Sequence, residues 1–106
     1  MRGELWSVAG GVYASKPRPA LVIQDDAFEA TDSVTVLPLT STRLDAPLLR
    51  VPITPSDTNG LSQPSWVMVD KLTTVRRSAL GARIGRLSAR ELTEIERLVV
   101  VFLGLA

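Results

Sequence analysis

Arg18-Pro19-Ala20-Leu21-Val22-Ile23-Gln24-Asp25-Asp26 is a proline-led apolar run closed by a polar stop. Four apolar residues in succession, Ala20 to Ile23, predict a short strand covered on both faces. Proline fixes its own φ and biases the residue before it toward extended backbone. Arg18 is therefore expected at the mouth of a buried strand, held in extended backbone rather than on a loose loop. About twenty residues on, a second apolar strand delivers Thr40-Ser41-Thr42. A guanidinium and a hydroxyl cluster, each ending a short strand, suit phosphate better than they suit a packed core.

Working outward, most of the chain reads as short strands separated by turn residues. Glu4-Leu5-Trp6-Ser7-Val8 alternates polar and apolar and stops at Gly10-Gly11. Ser33-Val34-Thr35-Val36-Leu37 alternates again, and Pro38 marks a strand end or an edge. Leu48 to Ile53 carries Pro52 inside it, which predicts an edge strand. Asp57-Thr58-Asn59-Gly60 is a turn. Trp66 to Val69 is a fifth strand that delivers Asp70 and Lys71, and Arg83 to Arg86 a short sixth. The helix comes last. Ser88-Ala89-Arg90-Glu91 is a capping box, after which Leu92, Ile95, Leu98, Val99 and Phe102 recur at helical spacing and Gly104 is the stop. Strands followed by one terminal helix predict a mainly β fold with one C-terminal α-helix, a small barrel that the helix plugs or flanks, as a single domain over residues 1–106. Val99 to Leu103 is apolar on every side, which predicts partial burial at a dimer interface.

Composition narrows the chemistry. The 106 residues include no cysteine and no histidine, so disulfides, thiolate metal sites and the usual neutral-pH acid–base are absent. Any reaction must use arginine, carboxylates, hydroxyls and backbone amides, and no metal or other cofactor is expected. The net charge is only +1, yet it is unevenly spread. Asp25, Asp26, Glu29 and Asp32 form an acidic patch, whereas Lys71, Arg76, Arg77, Arg83, Arg86 and Arg90 occupy a stretch with no acid. Such a stretch is either a solvated face or the footprint of a nucleic-acid groove. The start of the chain alternates too early for a signal peptide, and Leu98 to Leu105 is too short to span a bilayer. A cytoplasmic protein with no membrane partner is expected.

In order and spacing, these blocks resemble the MazF/PemK family of toxins. The resembling stretches are Arg2-Gly3-Glu4-Leu5-Trp6, the Arg18-to-Asp26 block, Leu37-Pro38-Leu39-Thr40-Ser41, Gly60-Leu61 through Ser65, Asp70-Lys71-Leu72 with Thr74-Val75, and Ile84-Gly85-Arg86-Leu87-Ser88. The resemblance implies an SH3-like β-barrel of the CcdB/PemK kind, acting as a homodimer. It implies sequence-selective, metal-independent cleavage of single-stranded RNA to 2′,3′-cyclic phosphate and 5′-hydroxyl ends, and a cognate MazE-like antitoxin that blocks the groove. It also implies that Arg18 and Thr40 are the catalytic pair.

The residue types fit those roles. A preorganised guanidinium at Arg18 strengthens its grip as charge develops on a phosphorane. The Thr40 and Ser41 hydroxyls can orient the phosphate. Asp70 is a candidate for positioning or deprotonating the nucleophile. Lys16, Gln24, Thr42, Lys71, Arg76 and Arg77 are candidate RNA contacts, and the Val8–Arg18 and Leu44–Pro47 segments are candidate base readers. Competing readings stand beside these. Arg18 could pair with Asp25 or Asp26 at the surface, and Asp70 with Lys71 or a backbone amide. Trp6 and Trp66 read as core or dimer-interface residues, with base stacking as the alternative. The whole chain could instead be a non-enzymatic, gyrase-poisoning toxin of the CcdB kind, or an inactive RNA-binding module.

Overall fold

A computed structural model describes residues 1–9 and 16–105. Among these residues seven strands are followed by one α-helix: β1 (Glu4–Val8), β2 (Arg18–Val22), β3 (Ser33–Thr40), β4 (Arg50–Ile53), β5 (Ser65–Met68), β6 (Thr73–Arg76), β7 (Leu80–Arg86) and α1 (Ala89–Phe102). All pairings are antiparallel, in the order β4-β5-β3-β2-β1-β7, with β6 joined to β3 off that path.

The long strand β3 organises everything. One edge pairs with β2; the other pairs with β6 at Ser33–Val36 and with β5 at Leu39–Thr40. Pro38 was expected at a strand end or edge, but it lies inside this central strand, opposite Ala20. It falls where β3 changes partner from β6 to β5, the place where a missing N–H disturbs the ladder least. Pro52 does sit on an edge strand, β4. No alternation marks β6 in the sequence, because three of its four residues, Thr73, Thr74 and Arg76, are polar and exposed.

Alternation along the strands sorts the core into two layers. Leu5, Leu21, Leu37 and Leu39 face Val51, Ile53 and Val67 of the β4–β5 arm, and Ile95 of α1 lies in the same cluster. Ala20, Val22, Val34 and Val36 face the other way, with Trp6, Val8, Val75 and Leu80 packed against them. The central strand β2 is thus covered on both sides, as its unbroken apolar run requires.

The hydrogen-bonded sheet does not close into the expected barrel. β6 and β7 end the five-strand path β6-β3-β2-β1-β7, yet only Arg77–Ala79 separates them. Four strand spacings in a flat sheet measure ~19 Å, whereas this link reaches ~14 Å at most. The sheet must curl to bring these edges together, and no β6–β7 ladder completes it.

Helix α1 starts at Ser88. Its hydroxyl accepts from the Glu91 N–H at 3.1 Å, and Glu91 accepts from the Ser88 N–H at 2.9 Å. Gly104, at φ 73°, ends it, with the Gly104 N–H donating to Val101 and the Leu105 N–H to Val100. Leu92, Ile95, Leu98 and Val99 pack inward. Phe102, expected to continue that stripe, is 45% exposed, as are Val101 and Leu103 at 56% and 49%. Among the described residues, nothing covers the end of this helix.

Candidate active site

A cleft of about 330 Å³ opens at the end of the sheet where β2 begins and β3 ends. Arg18, Thr40 and Ser41 all line it. Their meeting follows from register. Ala20 faces Pro38 across the β2–β3 ladder, so the same register, two residues further, sets Arg18 opposite Thr40. Directly opposed residues on neighbouring strands share a face. The two hydrophilic ends that lie twenty residues apart in sequence are neighbours because one antiparallel ladder joins them.

Each polar group here is differently committed. Thr40 Oγ1 accepts from the Thr42 N–H at 3.1 Å, a local turn bond. That bond occupies a lone pair and leaves the hydroxyl proton free to donate. The Arg18 side chain is exposed and, among the described residues, forms no ion pair or hydrogen bond. Its suggested surface partners are otherwise engaged. Asp25 accepts from the Ala27 N–H at 2.9 Å, and Asp26 accepts from the Arg2 N–H at 3.0 Å and lies 3.3 Å from the Met1 ammonium. Those contacts hold the Asp26 carboxyl below its ordinary pKa, the Arg2 N–H contributing most.

The opposite wall is Gly60, Leu61, Ser62 and Gln63. Asn59, buried, builds it: its side-chain oxygen accepts from the Ser56 and Leu61 N–H groups, and its amide donates to Thr54 C=O. Gly60 has φ +68°, and a Cβ there would lie 2.2 Å from the Ile84 carbonyl oxygen. Only glycine fits so close to β7. Ser65 Oγ then donates to Gln63 C=O at 3.0 Å, fixing the entry to β5. The turn was legible as Asp-Thr-Asn-Gly, but its place beside Arg18 was not. Ser62 and Gln63 were missed as site residues for that reason.

Several sequence candidates lie elsewhere. Asp70 pairs with Arg50 across the β4–β5 arm, and it does not line the cleft. Its partner is neither Lys71 nor a backbone amide, and a carboxylate held by an arginine is poorly placed to deprotonate a nucleophile at Thr40. Gln24 donates to Phe28 C=O and Thr31 Oγ1 and accepts from the Thr35 N–H. Arg77 donates to Thr31 C=O at 2.5 Å. Both tie down the far end of the sheet. Arg76 stands opposite Ser33, about 23 Å along β3 from Thr40 at the usual rise per residue. Lys71 is exposed at the far side of β5, and neither lines the cleft. Lys16 and Thr42 are exposed next to lining residues. The arginine-rich stretch is divided among several elements, with Arg83 engaged by Glu4 at 2.8 Å. Of the candidate base readers, Leu44–Pro47 does not line the cleft, and residues 10–15 fall outside the described part of the chain.

The lining contains no carboxylate, so Arg18 is its one charged group among the described residues. No helix is long and apolar enough to cross a membrane among the described residues.

A small, open-edged antiparallel sheet with a terminal helix and an arginine–threonine cleft defines a class that comparison with known proteins identifies. Residues 1–103 match the PemK-like, MazF-like toxin of type II toxin–antitoxin systems. The chain belongs to that family. It is 51% identical over 106 residues to the probable endoribonuclease MazF of Mycolicibacterium smegmatis, covering 99% of this chain and 97% of the relative. It is 30% identical over 114 residues to endoribonuclease MazF9 of Mycobacterium tuberculosis, covering 98% and 96% respectively. A mycobacterial endoribonuclease solved in complex with its cognate antitoxin superposes with a TM-score of 0.83 at 26% identity, covering 100% of this chain and 96% of that one.

Proposed function

We propose that this protein is an endoribonuclease toxin that cleaves single-stranded RNA in the cleft between Arg18 and Thr40. The observation that carries the reading is the convergence on one cleft of a donor hydroxyl and a guanidinium with no partner among the described residues, in a chain half identical to a probable endoribonuclease. In the proposed reaction the ribose 2′-hydroxyl gives its proton to water as its oxygen attacks the adjacent phosphorus, and the departing 5′-oxygen takes a proton from water, giving a 2′,3′-cyclic phosphate and a 5′-hydroxyl. Arg18 neutralises charge that grows on the non-bridging oxygens, a stabilisation that is strongest in the transition state. The Thr40 hydroxyl donates to one of those oxygens, and Ser41 assists in orienting the phosphate. The reaction is proposed to run without a metal ion. Lys16 and Thr42, flanking the cleft, are proposed RNA contacts.

On this reading the curled sheet serves as an SH3-like barrel, and the protein acts as a cytoplasmic homodimer. The exposed apolar end of α1, from Val100 to Leu105, supports dimerisation, since the described residues of one chain leave it in water. A cognate antitoxin that occludes the cleft is proposed by analogy with the solved toxin–antitoxin complex. Incubation of pure protein with a long transcript in excess chelator tests the reading. Fragments with cyclic-phosphate ends are expected. Intact RNA together with poisoned DNA gyrase would replace it by the gyrase-toxin alternative.

A further inference from the structure

Five aromatic residues are spread along the chain, and Trp66 follows Ser65 of the cleft wall without itself lining the cleft. It lies directly opposite Thr40 in the β3–β5 ladder and opposite Pro52 in the β4–β5 ladder. Opposed residues share a face with their Cβ atoms ~5 Å apart. Arg18, Thr40, Trp66 and Pro52 therefore form one row across β2, β3, β5 and β4, on the face away from the main core. Trp66 belongs to neither buried cluster, although its strand neighbours Ser65 and Val67 are buried. The other tryptophan is fully engaged: Trp6 packs against the second cluster and its indole N–H donates to Glu4 at 3.1 Å. The Trp66 N–H has no acceptor among the described residues, and the ring is half-buried beside a rigid proline ring.

We propose that the Trp66 indole is the stacking platform for an RNA base adjacent to the phosphate held by Arg18 and Thr40. The inference rests on the RNA-cleaving reading of that cleft. A nucleotide offers an anionic phosphate and a flat base joined by one sugar, and the row offers a cation, a hydroxyl and an aromatic plane in that order. Stacking tolerates any base, because every base has a π-face. The ring therefore contributes affinity and places the sugar, while selection among bases falls to other groups.

Trp6→Phe makes Trp66 the only indole, so its fluorescence becomes a direct readout. The probe is a 2′-O-methylated RNA oligonucleotide, which lacks the attacking hydroxyl, with a 5′ dye whose anisotropy follows binding independently. Emission from Trp66 is expected to quench to saturation with the same midpoint as the anisotropy. Trp66→Ala should weaken binding about ten- to hundredfold, raising KM for cleavable RNA with little change in kcat, and Trp66→Phe should restore most of the loss. Binding without a change in Trp66 emission overturns the proposal. So does a Trp66→Ala protein that binds RNA normally and differs only in its dimer–monomer equilibrium, which would assign the ring to a second copy of the chain. Quenching by an oligonucleotide whose unmodified counterpart stays uncut would sustain the platform and sink the nuclease reading. No RNA binding at all would sink both.

Discussion

The two ends of β3 carry similar polar residues and use them in opposite ways. At the Ser33 end, Gln24, Thr31 and Arg77 hydrogen-bond one another and nearby carbonyls, while Asp25 and Asp26 accept from local N–H groups. At the Thr40 end, the Arg18 guanidinium and the Ser41 hydroxyl have no protein partner among the described residues. The contrast separates polar groups that hold the fold from polar groups left available to a ligand. Side-chain chemistry does not distinguish them, since an arginine stands at each end. Commitment to partners does.

The strongest way to break that contrast is Arg18→Ala. Cleavage is expected to fall about 10³-fold, in line with removal of a preorganised oxyanion donor, with the thermal midpoint unchanged. A large drop in stability instead would show that Arg18 belongs to the fold. Thr40→Val keeps the shape and removes the donor hydroxyl. A loss of about 10²-fold in kcat is expected, again with little effect on folding; full activity would remove Thr40 from the reaction.

The other end should respond in the reverse sense. Arg77→Ala should lower stability by about 1 kcal/mol through its lost hydrogen bonds and leave the cleavage rate per folded molecule unaltered. Denaturant unfolding alongside a rate assay decides this, and a selective loss of cleavage would restore Arg77 to the RNA path.

The smallest effect concerns acid. Burial pushes the Glu4 carboxyl up, but the Trp6 indole N–H, the Met1 ammonium and Arg83 outweigh it and hold the group below its ordinary 4.5. A carboxyl depressed in the fold stabilises above its unfolded pKa, and that contribution disappears as pH falls through the folded value. Glu4→Gln should therefore flatten the decline of the thermal midpoint below about pH 4.5, whereas Arg18→Ala should leave that decline in place. Identical acid limbs in wild type and Glu4→Gln would refute the assignment.

Much of the architecture was legible because it rests on local rules. The capping box at Ser88 and the glycine stop at 104 act within one helical turn. The alternation of β1 and the unbroken run of β2 record which faces are covered. Pro38 misled because a proline argues for an edge only when both sides of its strand need continuous ladders, and β3 exchanges partners there. β6 escaped because its exposed threonines carry no burial pattern. The acid-free basic stretch suggested one groove, but consecutive residues pass through β6, β7 and α1, and several are tied to neighbours.

Local sequence determined on its own where the helix begins and ends and where most of the strands lie, that β2 is buried on both sides, and which residues have the chemistry for phosphate. Only the tertiary structure decided that Arg18, Thr40 and the Gly60–Gln63 wall share one cleft, and that Gln24, Arg77 and Asp70 are engaged away from it. The physical reason is that alternation and capping are interactions between near neighbours in the chain. A site is made by ladder register between distant strands, and that register depends on how the entire core packs.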